Sequence, residues 1–199
     1  MTGPRSLADP EEQQRRRGLL GSAHLAPLAA YCDTLRRPGV EVPDLDPLDG
    51  GVDARLLLLL EKPGPKTSPD RGGTGFVSFD NPDPTARASR RFAEEAGIER
   101  RSRIVWNVCP WWNGTTDFRS AEGREGIAEL PRFLELLPSL RVAVCVGRRA
   151  EAARPLLEGR RITTFASAHP SGQVRASHRS RWNAIPGIWR DAWEAARQS

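Results

Sequence analysis

Hydrophobic and polar positions divide the chain into segments of two periods. Between residues 22 and 37, Leu25, Leu28, Ala29, Cys32 and Leu35 recur at helical spacing, which predicts an amphipathic helix. The run Leu56–Leu60 shows no alternation and is stopped at once by Pro63, Gly64 and Pro65. A short, continuously apolar run ending in a rigid loop reads as a strand buried on both faces of a parallel sheet, over 54–60. Asp83 and Pro84 then open a helix, as N-cap and first helical residue, with Gly97 as its stop. A second strand is expected over 103–108. The next helix, capped by Ser120, carries Leu130, Phe133, Leu134 and Leu137, with Pro131 as a site for a kink. A third strand over 141–146, a helix over 148–157 ended by Gly159, and a fourth strand over 161–166 follow. The closing helix has Trp182, Ile185, Trp189 and Trp193 on one face, with Pro186-Gly187 able to break it.

Strands alternating with helices imply right-handed crossovers. The fold class is therefore α/β: a three-layer α/β/α sandwich on a four-stranded parallel sheet. Residues 1–18 are charged and without periodicity, so a disordered or frayed lead-in is expected there, followed by a single domain over 19–199. The segment 62–81 is rich in Gly, Pro, Ser and Thr yet holds Phe76, Val77 and Phe79. Three large apolar residues so close together argue for an ordered loop over a pocket.

Composition narrows the classes. At 199 residues the chain is long enough for a substantial core. No stretch approaches the ~18 apolar residues that span a bilayer, and no secretory pattern opens the sequence, so a cytoplasmic protein without membrane association is expected. Cys32, Cys109 and Cys145 are far apart, which reads as reduced buried thiols and not as a disulfide framework or metal site. The net charge of +5, nearly all from arginine, suits a polyanionic partner without requiring one.

Candidate chemistry comes from convergence. Glu61, Asn107 and His169 each lie at or just past the carboxyl end of an expected strand, where open α/β sheets bind ligands. Taken singly, Glu61 reads better as a solvated loop carboxylate, and Asn107 reads also as a partner for loop backbone and His169 as a turn histidine. Three such groups at three strand ends, beside a Phe-containing loop, favour a site. A Gly-rich dinucleotide fingerprint and a phosphate loop are both missing.

Read in order, EKPG after the first strand, GFVSFDNPDPTA, WNVCPWWNG and AHPSG resemble the uracil-DNA glycosylase superfamily. The similarity runs from about Ala54 to Trp193. It implies an enzyme that removes a flipped uracil, or a related damaged base, from DNA without metal or other cofactor, acting as a monomer. By that resemblance Glu61 activates the attacking water and His169 stabilises the departing base anion. Asn107, offering a donor and an acceptor side by side, reads the base edge, and Pro63 and Gly64 border it. Phe76 would be the flat platform under the base, with ordinary core packing as its other reading. Lys66, Ser68, Ser171 and Arg175 are the expected phosphate contacts, with His178, Arg179 and Arg181 beyond. Gly172 would let backbone approach closely, and Gln173 or Val174 would fill the hole left by the flipped base.

Three positions depart from the family pattern. Leu60 stands for its first glycine, and Lys62 stands where the most active branch has a catalytic aspartate. The four clustered cysteines of the iron–sulfur branch are missing, so no cluster is expected. Gly64 replaces the tyrosine that bars thymine's methyl group, leaving other pyrimidines and even purines open as substrates. Lys62 also motivates an alternative: a weak or inactive member that binds DNA or a protein through the same groove.

Overall fold

The central strand is β2 (Leu56–Leu60), flanked in parallel on both sides. In this computed structural model, which describes residues 6–198, it pairs with β4 (Arg103–Asn107) on one edge and β5 (Val142–Val146) on the other. Beyond β5 lies β6 (Thr163–Ser167), so the sheet order is β4-β2-β5-β6, all parallel. Leu56, Leu57, Leu58 and Leu59 are each completely buried, as a strand covered on both faces requires. A separate two-stranded parallel ribbon joins β1 (Asp44–Leu45) to β3 (Phe76–Val77).

Helices cover both faces. On one, α3 (Pro84–Glu95) and α7 (Arg179–Gln198) meet through Phe92, whose ring stands edge-on to Trp182 at 5.0 Å. On the other, α2 (Ala26–Leu35) and α4 (Ser120–Glu135) meet over Trp106, which stacks on Phe133 at 5.1 Å. The short helices α5 (Arg154–Gly159) and α6 (Gly172–Ser177) complete the connections. These three layers and four parallel strands are the architecture expected from the sequence. The strand ends shift by a residue or two, α2 starts four residues later than expected, the helix expected from 148 opens with a 3-10 turn (Ala150–Ala153) before α5, and Ser120 is the first helical residue, not the cap. Glu122 performs the capping, accepting from the Arg119 backbone N–H at 2.9 Å. Pro131 and Pro186 both sit inside continuous helices.

One expectation needs correction. Residues 1–5 lie outside the described residues, but helix α1 (Pro10–Arg17) is ordered and capped by Asp9. The hydrophobic pattern could not find α1 because polar contacts hold it. The Arg16 guanidinium is completely buried among Glu12 (2.8 Å), Asp46 (2.5 Å) and Asp80 (2.8 Å). Arg100, just before β4, joins the same cluster, reaching Asp46 at 2.6 Å, Asp49 at 3.0 Å and Asp80 at 2.8 Å. Ser78 donates to Asp46, so the cluster grips the segment after β3 from behind. Such a buried network is specific in geometry, and breaking it leaves charges without partners. Arg16→Ala is accordingly expected to lower stability by about 3–5 kcal/mol, measured by urea denaturation, although the residue lies in a segment whose sequence looks dispensable.

Candidate active site

At the carboxyl ends of the four strands lies a cleft of about 680 Å³. The sheet order explains its place. The chain runs from β2 to β4 on one side and then crosses to β5 on the other, so the helices part between β2 and β5. Ligand crevices in open α/β sheets sit at such reversals.

Glu61 immediately follows β2, and Asn107, the last residue of β4, is the register partner of Leu60. His169 lies two residues past β6. All three line the cleft, together with Pro63 and Gly64. Asn107 is only 3 % exposed, yet among the described residues no protein donor or acceptor engages its carboxamide. A buried amide normally finds partners, so this one is left to face the cleft with both its donor and its acceptor free.

Glu61 is held by the turn after β5. The Arg149 backbone N–H donates to Glu61 Oε1 at 3.1 Å, and Arg149 Nη1 lies 3.9 Å from Oε2. Gly147 makes this approach possible: its φ is +97°, and a Cβ there would come within 2.6 Å of Glu61 Oε1. Burial pushes the His169 imidazole below its ordinary pKa, opposed by the Glu61 carboxylate and reinforced by the Arg149 charge. The ring is therefore neutral at neutral pH and carries one N–H to donate.

Lys62 also lines the cleft, but its ammonium is taken up by other partners. Its ammonium donates to Asn113 Oδ1 (2.8 Å), the Asp117 carbonyl (2.9 Å) and Glu122 Oε1 (3.1 Å), tying the loop after β4 to the start of α4. Glu122 in turn accepts from Asn113 Nδ2 at 2.5 Å. The lysine that stands at a catalytic position by resemblance is a structural tie for the wall of the cleft.

Several expectations for the periphery change. Phe76 is 1 % exposed and does not line the cleft; Phe79 does, lying parallel to Trp189 at 6.0 Å. Phe76 is inside β3, locked by backbone bonds to Thr74 and Asn81, whereas Phe79 follows the strand where the chain turns toward the sheet. Ser68 is completely buried and donates to Glu41 Oε1 at 2.6 Å, so it has no hydroxyl to offer a phosphate. Lys66 and Arg175 are exposed but outside the cleft wall, Arg175 lying over the Trp182 ring at 6.0 Å. Ser171 lines the cleft while capping α6, its Oγ accepting from the Val174 N–H at 3.4 Å. Gln173, Val174, His178 and Arg181 also line it. Gly172 approaches nothing, since an added Cβ would meet no atom within 4 Å. The turn Gly147-Arg148-Arg149 was missed from sequence; its signal was a glycine and two arginines directly after an apolar strand.

Among the described residues no group of His, Cys, Asp and Glu is placed to hold a metal ion, and no helix is long and apolar enough to cross a membrane. Cys32, Cys109 and Cys145 are free and buried, and burial raises the pKa of all three, Cys109 to about 12 and Cys145 to about 11.

Comparison with solved structures gives the fold a family likeness. A solution NMR structure of a Methanosarcina acetivorans protein assigned to the uracil DNA glycosylases superposes with a TM-score of 0.50 at 20 % identity, covering 73 % of this chain and 93 % of that one. The fold is that of the uracil-DNA glycosylases. The crystal structure of the wild-type UNG from Nitratifractor salsuginis matches more loosely, with a TM-score of 0.44 at 15 % identity over 94 % of this chain and 98 % of its own. No family model matches the chain, and no curated protein matches it in sequence. In this glycosylase fold the cleft at the strand ends is the concave surface that carries Glu61, Asn107 and His169.

The lowered His169 pKa has a consequence for stability. The folded protein binds that proton less readily than the unfolded chain, whose value is 6.5. The contribution is complete above that value and is lost as pH falls from it through the lowered folded pKa. Urea midpoints measured between about pH 5 and 8 are expected to fall on acidification, and His169→Gln should flatten that part of the curve.

Proposed function

We propose that the protein is a monofunctional DNA glycosylase that hydrolyses the N-glycosidic bond of a flipped uracil, or of a related deaminated or damaged base, and so initiates base excision repair. The reading is carried by one observation: Asn107, a buried carboxamide that no protein group among the described residues engages, lies in the same cleft as a carboxylate and a neutral imidazole. An enzyme that acts on a base within a duplex must extrude it into a pocket and read its edge there. Asn107 offers the donor and acceptor that complement O4 and N3–H of uracil and mismatch cytosine, and a misfit of this kind discriminates strongly.

Cleavage breaks the bond between C1′ and the base nitrogen. Positive charge develops on the sugar and negative charge on the departing base. Glu61 orients the water that adds to C1′, takes its proton and offsets the sugar's charge. His169, neutral, donates its N–H to the base O2 and stabilises the anion. Phe79 takes the part of the aromatic wall beside the base. DNA is the partner, its phosphates meeting Ser171 and the exposed Arg181, which line the cleft, and the exposed Lys66 and Arg175 outside its wall. Lys62, engaged with Glu122, does not compete as a base and does not argue for an inactive protein.

At Gly64 an added Cβ would meet nothing within 4 Å, and by the resemblance this is the position whose tyrosine bars a pyrimidine 5-substituent, so the proposal extends to 5-substituted bases.

Single-turnover cleavage of oligonucleotides bearing uracil, 5-substituted uracils or hypoxanthine tests the proposal. Glu61→Gln is expected to slow the reaction about 10²–10⁴-fold and His169→Gln about 10²–10³-fold, with binding of the oligonucleotide retained. Salt-sensitive binding by the wild-type protein with no cleavage of any of these substrates would refute it. Gly64→Tyr should lower the rate on 5-substituted bases more than on uracil, read as the ratio of the two rates.

A further inference from the structure

The turn after β5 brings a cation to Glu61, one of the two groups given catalytic roles. Arg148 lines the cleft, but Arg149 does not. Arg149 stands behind Glu61, with its backbone N–H on Oε1 at 3.1 Å and its guanidinium 3.9 Å from Oε2. The side chain is 46 % exposed and rests on an aromatic ring. Its guanidinium carbon lies 4.7 Å from the centre of the Phe118 ring, and Phe118 is itself seated against Gly123 of α4, where a Cβ would come within 2.8 Å of the ring. A ring face on one side and a carboxylate on the other flank the guanidinium.

Glu61 and His169 pose a problem for each other. A carboxylate close to an imidazole draws a proton onto it, and the resulting ion pair would occupy both groups at once. The charges that act on His169 are Glu61 after β2, Arg149 after β5 and Asp83 at the start of α3. Two of them are anions that favour the imidazolium; Arg149 is the cation that opposes them. We infer that Arg149 is a positioning residue that engages the Glu61 carboxylate and keeps it from pairing with His169, so that one remains free for water and the other for the base. The inference rests on the roles given to Glu61 and His169 above. It adds a residue that touches neither substrate nor reacting atoms.

The clamp has two separable parts. The backbone N–H is present whatever side chain stands at 149, so substitution removes only the guanidinium. Phe118 holds the guanidinium without touching Glu61, so its loss should weaken the same effect from a distance.

The test follows the His169 imidazole by NMR in the full chain from acid to neutral pH, the signal being assigned by its disappearance in His169→Gln. Arg149→Met is expected to raise the His169 midpoint by about half a unit to one unit. Arg149→Lys should restore most of the wild-type value, and Phe118→Leu should produce a smaller shift in the same direction. In single-turnover assays the acid limb of the pH profile should move upward with the midpoint. Thermal melts establish that each variant is folded, with Arg149→Gln in reserve should Arg149→Met not fold. An unshifted midpoint in the folded Arg149→Met or Arg149→Gln protein overturns the inference. A loss of activity with an unshifted midpoint also overturns it, and would place the arginine on DNA. Because the titration needs no substrate, it decides the role of Arg149 even if no tested oligonucleotide is cleaved.

Discussion

Parallel pairing of β2 on both of its edges is the constraint from which the site follows. When β4 and β5 hydrogen-bond to the same strand in the same direction, their carboxyl ends must emerge on one side of the sheet. The side chains that follow those ends are then neighbours, however distant they are along the chain. Glu61, Asn107, Gly147 and His169 are brought together in this way, and the reversal of strand order between β2 and β5 supplies the crevice. Burial of the four leucines Leu56 to Leu59 drives the pairing. The location of the polar groups is a geometric consequence.

The same sheet is anchored at its other margin by charge. Arg16, Arg100, Asp46 and Asp80 form a buried cluster that ties α1 to the segment carrying Ser78, Phe79 and Asp80. Phe79 lines the cleft, so an N-terminal helix with almost no apolar face reaches the wall of the site through ionic contacts. On the opposite wall Lys62 and Glu122 do a similar task for the loop after β4. Both walls are thus set by buried ion pairs, which specify geometry more than they add stability. The free groups of the site stand out against this background: most buried polar atoms have partners, whereas among the described residues no protein group engages the Asn107 carboxamide.

Arg149 belongs to the same economy of charge. A carboxylate and an imidazole in one cleft tend to neutralise each other, and a third charge decides whether they do. The turn after β5 places that charge, and glycine at 147 is what lets the backbone come close enough.

The sequence by itself determined the four strands of the main sheet, the longer helices other than α1, their order, the parallel sheet and the three strand-end residues. These rest on local signals: an unbroken leucine run, helical spacing of apolar residues, Asp-Pro and Gly at helix ends, and the rule that crossovers carry parallel strands. Four things only the tertiary structure decided. Helix α1 is stabilised by residues 30 and 64 positions away, a distance at which no periodicity registers. Phe79 and not Phe76 faces the cleft because the short strand β3 ends between them. Ser68 is spent on Glu41 and Lys62 on Glu122, partners that lie far off in the sequence. Arg149 meets Glu61 across 88 residues. Apolar burial follows from pattern, since it is additive and non-directional, whereas a polar group's role depends on which single partner the folded chain brings within about 3 Å.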